Sequence, residues 1–202
     1  MNIPFTKMHG AGNDFIVLDQ LNVNYKLSSA QIKSLAHRQL GIGFDQLLIV
    51  EKSVLPSAKF KYRIFNSDGN EVEHCGNGAR CFFLFLKSRG ITNKKTIAVE
   101  TKSGVISLSF DADNLIAVNM GFAKNNFEEI PFFSEVNSKN IVSINNVDYP
   151  FYPISIGNPH AVIKLDSLDN IDFSLTGKQL QQSGSFPNSV NVGFLKIINK
   201  NE

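Results

Sequence analysis

The chain has 202 residues, of which 43% are hydrophobic and 19% charged, so a packed core is expected and wholesale disorder is excluded. Its formal net charge is +2 and its Lys and Arg residues are scattered, which excludes a nucleic-acid footprint. No apolar run approaches the roughly 20 residues that span a bilayer, and the first residues lack the apolar core of a secretory signal. The sequence therefore predicts a cytoplasmic protein of one large or two small domains, with no membrane or nucleic-acid partner.

The first predicted helix starts at Ser28, in a segment with the spacing of a capping box because Gln31 stands three residues later. Apolar residues at helical spacing follow, and Gly41 ends the helix. The predicted apolar face of this helix consists of Ile32, Leu35, Ala36 and Leu40.

A second helix is predicted at Cys75–Ser88, with Gly90 as its stop signal, after a strand at Phe60–Phe65 and a turn-rich segment. Over Cys81–Leu86 this helix is apolar on every side, which indicates a helix surrounded by other structure. Two cysteines six residues apart lie on different sides of a helix, so both thiols are predicted to be free.

The rest of the chain is mostly strands, with a weaker helix predicted at Leu175–Gln182. Three short strands predict an antiparallel meander, and four more follow a polar segment at Asn125–Pro131 that we take as the domain boundary. Antiparallel strands on either side of an apolar helix predict an α+β fold, an antiparallel sheet wrapped around a central helix. The predicted strands are Thr96–Glu100, Val105–Phe110, Leu115–Asn119, Ile141–Ile144, Tyr152–Ile156, Ala161–Leu165 and Val192–Ile198.

Cys75 stands at a predicted helix start and is followed by Gly76 and Gly78, where missing Cβ atoms let backbone N–H groups approach a ligand. The free N–H groups and positive dipole end of a helix favour an anion, and the same field stabilises a thiolate. A lone free cysteine is more often a small buried residue, but the glycines and the helix start favour a reactive thiol at Cys75. For Cys81, inside the apolar run, the buried role is expected.

Neutral amide side chains stand at the ends of predicted strands, within segments of loop-forming residues. Such amides can bind the polar groups of a small zwitterion without adding charge. The residues in question are Asn13, Gln46, Asn66, Asn77, Asn158 and Asn191.

Several other kinds of site are not indicated. The segment Gly10–Phe15 lacks the third glycine of a dinucleotide fingerprint, and the sequence has no phosphate-binding loop. The four histidines show no metal-ligand spacing, so no metal site is expected. His74 and His160 could each tune a thiol, although a solvated loop position explains His74 equally well.

Six segments, in order and spread over the whole chain, resemble the diaminopimelate epimerase family. The resemblance implies a cofactor-independent isomerase that converts LL-2,6-diaminopimelate to the meso isomer for lysine and peptidoglycan synthesis. It also implies two similar domains, 1–120 and 121–202, each an antiparallel barrel around a central helix. The segments are Lys7–Phe15, Gly43–Gln46, Tyr62–Gly69, Cys75–Cys81, Gly157–His160 and Asn191–Phe194.

The resemblance also implies roles for individual residues. Cys75 would be one of two acid/base thiols, and His160 would modulate thiol ionisation. Inversion at a carbon is simplest with a thiolate on one face and a thiol on the other, while hydrogen bonds to the α-carboxylate stabilise the carbanion. The implied substrate-binding residues are Asn13, Gln46, Asn66, Gly76, Asn77, Asn158 and Asn191.

The chain departs from the family pattern at its C-terminal side. Family members continue beyond Glu202 with a Glu-Arg pair, a second Gly-flanked cysteine, the last strand of the first domain and the second domain's central helix. Because Cys81 shares a buried helix with Cys75, we expect a truncated and catalytically incomplete chain. Two alternatives stay open: a non-catalytic fragment that binds an amino acid or associates through an exposed apolar face, for instance as a homodimer, and a related amino-acid racemase.

Overall fold

The computed structural model describes residues 2–73, 75–126, 140–169, 171–187 and 190–200. The chain divides into two compact units, Met1–Met120 and Gly121–Glu202. Both units combine strands with few helices, so the predicted α+β class is confirmed. Within the described ranges, no helix is long and apolar enough to cross a membrane.

The described part of the first unit is one curled sheet with two helices, α1 (Ser29–Ala36) and α2 (Gly76–Ser88). Its strands are β1 (Thr6–Gly10), β2 (Asn13–Asp19), β3 (Gln46–Lys52), β4 (Phe60–Asn66), β5 (Glu71–Val72), β6 (Thr96–Thr101), β7 (Gly104–Phe110) and β8 (Ile116–Asn119). They pair in the order β1-β2-β3-β4-β6-β7-β8, with β5 beside β4. The prediction of a purely antiparallel sheet is wrong, because β2–β3 and β4–β6 are parallel. Each of these pairs is joined by a helical crossover, which brings the chain back in the same direction.

Helix α1 begins with the predicted capping box, in which Gln31 N donates to Ser28 Oγ and Ser28 N donates to Gln31 Oε1. The prediction that its apolar face reaches Leu40 is wrong, since the helix ends at Ala36 and Leu40 is 87% exposed. The chain turns here because the Nδ1 atom of His37 accepts bonds from two backbone N–H groups, of which one belongs to Leu40.

Helix α2 begins one residue after Cys75 and ends at Ser88, as predicted. It contacts β1 and β8, the strands at the two ends of the pairing order, as well as β2, β3, β4 and β7. One residue departs from the prediction of a helix surrounded on every side, because Leu84 is 45% exposed. The buried residues of α2 are Gly78, Ala79, Cys81, Phe82, Phe83, Phe85 and Leu86.

Strands β2, β3 and β4 alternate between two cores, since successive side chains of a strand point to opposite faces of a sheet. One face packs against α2, and the other packs against α1. On the α2 face lie Phe15, Val17, Leu48, Val50, Phe60, Tyr62 and Ile64, and on the α1 face lie Ile16, Leu18, Leu47 and Ile49.

The second unit contains a four-stranded sheet and helix α3 (Phe173–Gln182) in its described residues. Its strands are β9 (Ile141–Ile144), β10 (Val147–Ser155), β11 (Pro159–Lys164) and β12 (Asn191–Leu195). The sheet order is β12-β11-β10-β9, with β11 and β12 parallel across α3. The core of this unit is formed by Val142, Phe151, Ala161, Ile163, Leu180, Phe186 and Val190.

The predicted strands correspond to β4 and β6–β12, although β10 begins at Val147, five residues before its predicted start. Strands β2 and β3 were expected beside Asn13 and Gln46, but without bounds. Strands β1 and β5 were not predicted, because β5 has only two residues and β1 contains the polar residues Thr6, Lys7 and His9. Residues 127–131 of the predicted boundary segment lie outside the described residues. The closed barrel and a second copy of the domain stay predictions.

Gly78 allows α2 to lie close to the sheet, and its replacement by Ala tests this contact. A Cβ atom at Gly78 would overlap the Tyr62 hydroxyl and lie 3.2 Å from Leu48 Cδ2. We expect Gly78→Ala to lower the free energy of unfolding by about 1–3 kcal/mol, because the core is overpacked. Urea denaturation measures the change.

Gly177 in α3 provides a matched control, because among the described residues a Cβ atom there would meet only Phe194 Cε2, at 4.0 Å. Gly177→Ala should raise the free energy of unfolding by about 0.5–1 kcal/mol, the usual gain of Ala over Gly in a helix. Equal stabilisation by both substitutions would contradict close packing at Gly78.

Candidate active site

Three of the predicted substrate-binding residues lie at one edge of the first unit's sheet. Asn13 is the first residue of β2, Gln46 is the first residue of β3, and Asn66 is the last residue of β4. Phe15 is in register with Gln46 across the parallel pair, and Gln46 is in register with Asn66 across the antiparallel pair. The ends of three neighbouring strands therefore bring these amides to the same edge.

The same three residues also share one face of the sheet. Asn13 stands two residues before Phe15, Gln46 two before Leu48, and Asn66 two after Ile64. Because Phe15, Leu48 and Ile64 pack against α2, the two-residue repeat of a strand places all three amides on the α2 face. They form a polar layer at the end of that core.

Cys75 occupies the N-cap position of α2 in an extended backbone conformation, and its side chain makes no capping hydrogen bond. The first helical bond is donated by Ala79 N to Cys75 O, at 2.8 Å. The N–H groups of residues 76–78 precede this bond and lie outside the helical ladder. The thiol, which is half-buried, thus stands beside the positive end of the helix.

Tyr62, on the sheet strand β4, holds the backbone of Cys75 in place by a hydrogen bond. Its hydroxyl donates to Cys75 O at 3.3 Å, and its ring packs against Phe82 in the α2 core. Burial raises the pKa of Tyr62, and the nearby Cys75 adds to this effect. The hydroxyl therefore stays protonated and remains a donor.

Asn77 and Asn13, which are 64 residues apart in sequence, are in direct contact. Asn77 Nδ2 donates to Asn13 Oδ1 at 2.8 Å, and Arg80 donates to Asn77 Oδ1. The first turn of α2 is thereby tied to the start of β2. The structure brings Cys75, Gly76, Asn77 and Asn13 together in one place.

Gln46 and Asn66 form the second pair of amides, with Gln46 Nε2 donating to Asn66 Oδ1 at 2.9 Å. Among the described residues, Gln46 Oε1 is the buried side-chain atom without a hydrogen-bond partner. Such an oxygen is costly to bury unless a donor reaches it. The capacity of this oxygen to accept a hydrogen bond is therefore unused in the part of the chain that the structure describes.

A cluster of charged residues surrounds Asn13. Arg38 donates two bonds to the Asp14 carboxylate and a third to Asp45, while Lys7 donates to Asp14 at 2.9 Å. The Arg38 guanidinium, with help from Lys7, holds the pKa of Asp14 well below its usual range, although desolvation opposes this. Asp14 is therefore ionised at any pH near neutrality.

Cys81 is buried within the α2 core, as predicted. Burial raises the pKa of its thiol, so the neutral form is favoured. Cys75 and Cys81 are both free thiols, which confirms the expectation that they do not form a disulfide.

The remaining predicted residues lie in the second unit. His160 Nε2 and Asn158 Oδ1 are 3.2 Å apart, and Asn191 Nδ2 donates to Pro159 O at 3.0 Å. His160 and Asn191 are in register across the parallel pair of β11 and β12. The three side chains are thus neighbours at one edge of the second sheet, as the first three are in the first unit.

Five charged residues near Asn13 were not predicted as parts of the site: Lys7, Asp14, Arg38, Asp45 and Arg80. All except Arg38 lie within the segments that carry the family resemblance. The contacts of Asp45 with Asn13 and Asp14 depend on the approach of β2 and β3, whereas Arg80 contacts Asn77 three residues earlier on α2. His74 lies outside the described residues. Within the described ranges, no group of three potential metal ligands occurs.

Because Asp14 forms ion pairs, we predict that the free energy of unfolding depends on pH. Because the pKa of Asp14 is lower in the folded chain than in the unfolded one, its stabilisation is complete above about pH 5 and is lost below that. We expect Asp14→Asn to lower the free energy of unfolding by about 1–2 kcal/mol at pH 7. Urea titrations between pH 7 and pH 2 should show this difference shrinking in acid.

Asp113→Asn is the matched control, since Asp113 is an exposed carboxylate in the turn between β7 and β8. A difference between Asp14→Asn and the wild type that is the same at pH 7 and pH 2 would contradict the ion-pair account.

The sequence matches a family model described as diaminopimelate epimerase over residues 5–125. A diaminopimelate epimerase from Psychrobacter sp. (strain PRwf-1) is 45% identical over 204 residues, covering 99% of this chain and 70% of that protein. A diaminopimelate epimerase from Legionella pneumophila (strain Paris) is 45% identical over 201 residues, covering 98% of this chain and 73% of that protein.

A solved structure of a hydroxyproline epimerase from Agrobacterium vitis is similar with a TM-score of 0.63 and 11% identity. The match covers 88% of this chain and 59% of that one, and at this identity it shows the fold alone. The family model matches residues 5–125, and the two relatives cover 98–99% of this chain. The chain therefore belongs to the diaminopimelate epimerase family, and so to the isomerases.

Proposed function

We propose that this chain acts in the interconversion of LL- and meso-2,6-diaminopimelate, with Cys75 as one of two acid/base thiols. The observation that carries the proposal is the position of Cys75 at the start of α2, where Asn77 contacts Asn13. A thiol beside N–H donors is suited to removing a proton from a carbon next to a carboxylate. No cofactor is proposed.

The donors and acceptors at the site complement an amino acid. The backbone N–H groups at the start of α2 and the amides of Asn13 and Asn77 are donors for the α-carboxylate. The oxygen of Gln46 is buried and has no partner among the described residues, so it would serve as an acceptor for an ammonium group once a ligand reaches it. As a thiolate takes the α-proton, negative charge moves onto the carboxylate, where these donors stabilise it.

Inversion also needs a thiol on the opposite face of the carbon, which returns a proton there. The sequence has two cysteines, and the thiol of Cys81 is buried in the α2 core. We therefore propose that these 202 residues alone do not complete the epimerisation. Proton exchange on one face is the reaction expected of Cys75 by itself.

The second unit is proposed to be a second, similar domain. In the first unit an antiparallel pair, β1–β2, leads through α1 to the parallel strand β3. In the second unit the antiparallel pair β10–β11 leads through α3 to the parallel strand β12. Asn13 and Gln46 open β2 and β3, while Asn158 immediately precedes β11 and Asn191 opens β12. This correspondence supports a role in substrate binding for Asn158 and Asn191, and in tuning a thiol for His160.

Replacement of Cys75 tests the proposal. The wild-type chain is incubated with LL-diaminopimelate in deuterated water, and the α-proton signal and the isomer composition are followed by NMR and chiral chromatography. We expect exchange of the α-proton without epimerisation, and a loss of at least about 100-fold in Cys75→Ser, since the acid/base group is removed.

Cys81→Ala is the matched control and should exchange at a rate close to that of the wild type. Epimerisation by the 202-residue chain itself would rule out the two-thiol account. Undiminished exchange in Cys75→Ser would rule out the role of Cys75. Exchange of lysine or proline in place of diaminopimelate would favour a related amino-acid racemase.

A second candidate is association through an exposed apolar face of the second unit. Phe151 and Ile163 face the core, so Tyr152 and Val162 point to the other side of the sheet. On that side Tyr152 is 58% exposed, and Leu195 is 44% exposed. Apolar surface of this kind promotes association.

Sedimentation equilibrium tests this candidate. If the face joins two copies in a homodimer, the double substitution Tyr152→Ser and Leu195→Ser should weaken dimerisation at least about tenfold, because apolar area is lost. Leu40→Ser, at an exposed apolar residue of the first unit, is the control. A monomer at all concentrations would exclude the homodimer.

A further inference from the structure

Two charged residues stand at the ends of a series of hydrogen bonds through Asn13 and Asn77. Asn13 Nδ2 donates to Asp45 Oδ2 at 3.2 Å, and Asn77 Nδ2 donates to Asn13 Oδ1 at 2.8 Å. Arg80 Nη2 donates to Asn77 Oδ1. We call these four residues the amide network. It begins at a carboxylate, passes through two amides and ends at a guanidinium.

The two charges permit one orientation of both amides. An amide keeps its shape when it is flipped by 180°, but a carboxylate only accepts hydrogen bonds and a guanidinium only donates them. A flipped Asn13 would place its oxygen against Asp45, and a flipped Asn77 would place its NH₂ group against Arg80. Each flip would also break the bond between the two amides.

We propose that Asp45 and Arg80 are positioning residues, which fix the amides of Asn13 and Asn77 so that both offer N–H groups to a substrate carboxylate. The proposal rests on the proposed function, in which Asn13 and Asn77 contact the substrate. Neither Asp45 nor Arg80 needs to touch the substrate itself.

Asp45 is itself held in place from several sides. Its Oδ1 accepts from Arg38 Nη2 at 2.7 Å, and its Oδ2 also accepts from Asp14 N at 3.1 Å. In return, Asp45 N donates to Asp14 Oδ1 at 2.9 Å. This reciprocal pair joins Asp45, the residue immediately before β3, to Asp14 in β2, so the carboxylate end of the network is held at the point where these two strands begin to pair.

The orientation of the Asn13 and Asn77 amides determines which chemical group of a ligand can bind there. Each of the two Nδ2 atoms carries a second N–H beside the one used in the network. Together with the first N–H groups of α2, these form a set of donors. Two carboxylate oxygens complement such a set, whereas an ammonium group, which only donates, does not. The network therefore assigns this part of the site to a carboxylate.

The test compares three substitutions in the whole chain. Asp45→Asn and Arg80→Gln each replace a group of fixed polarity by an amide that can flip, while Arg80→Lys keeps a donor-only group. The first readout is the pair of side-chain NH₂ resonances of Asn13 and Asn77 in ¹H–¹⁵N spectra without ligand. The second is the affinity for meso-diaminopimelate and for 1,5-diaminopentane, which lacks both carboxylates.

We expect Asp45→Asn and Arg80→Gln to shift or broaden both pairs of resonances and to weaken diaminopimelate binding about 10-fold or more, the value of one charge-assisted hydrogen bond. Binding of 1,5-diaminopentane should stay within about twofold, since the donors for a carboxylate do not act on it. Arg80→Lys should retain most of the wild-type affinity. Asp113→Asn controls for the loss of one negative charge.

Unchanged resonances and an unchanged affinity in either Asp45→Asn or Arg80→Gln would overturn the proposal. If Asp45→Asn does not fold, Arg80→Gln decides, because it interrupts the same network from the other end. If the wild-type chain does not bind diaminopimelate, the proposed function fails, while the resonances without ligand still decide whether Asp45 and Arg80 orient the amides.

Discussion

The close approach of helix α2 to the sheet determines where the chemistry of the first unit is placed. Gly78 lets the helix lie against the Tyr62 hydroxyl, and the same hydroxyl donates to the carbonyl of Cys75. Helix α2 has thirteen residues, and this contact lies in its first turn, so it positions the helix start as well as part of the buried side. The thiol of Cys75 and the amide of Asn77 are therefore positioned by core packing, and Asn77 can reach Asn13 on β2.

In the first unit, the same strands supply both the core and the candidate site. Apolar residues of β2, β3 and β4 fill the space under α2, and the next residue on the same face of each strand is Asn13, Gln46 or Asn66. A strand repeats every two residues, so a register that buries the core also aims these amides. A slip of one residue would remove the core and the site together, which couples stability to function.

The parts of this arrangement that could be predicted from the sequence are those that depend on residues close together in the chain. The capping box of α1 and the limits of α2 depend on residues within a few positions, and both were predicted correctly. The extension of α1 to Leu40 was wrong, because an apolar residue at helical spacing does not reveal that His37 caps a turn. Asp45 had no signal of its own, since its partner Asn13 comes from a strand that meets it only in the folded chain. Arg80 stands three residues after Asn77 on α2, a spacing at which helical side chains are neighbours, and this signal was not used.

The second unit places its polar residues in the way that the first unit does. His160 and Asn191 lie on the face of β11 and β12 opposite the core that includes Leu180 of α3. Asn13 and Gln46 likewise lie opposite the core against α1. Helix α1 in the first unit and α3 in the second each cover the face opposite these polar strand ends, because a single helix covers only one side of a sheet. A repeated strand–helix–strand pattern thus accounts for the similar placement of polar residues that are far apart in the sequence.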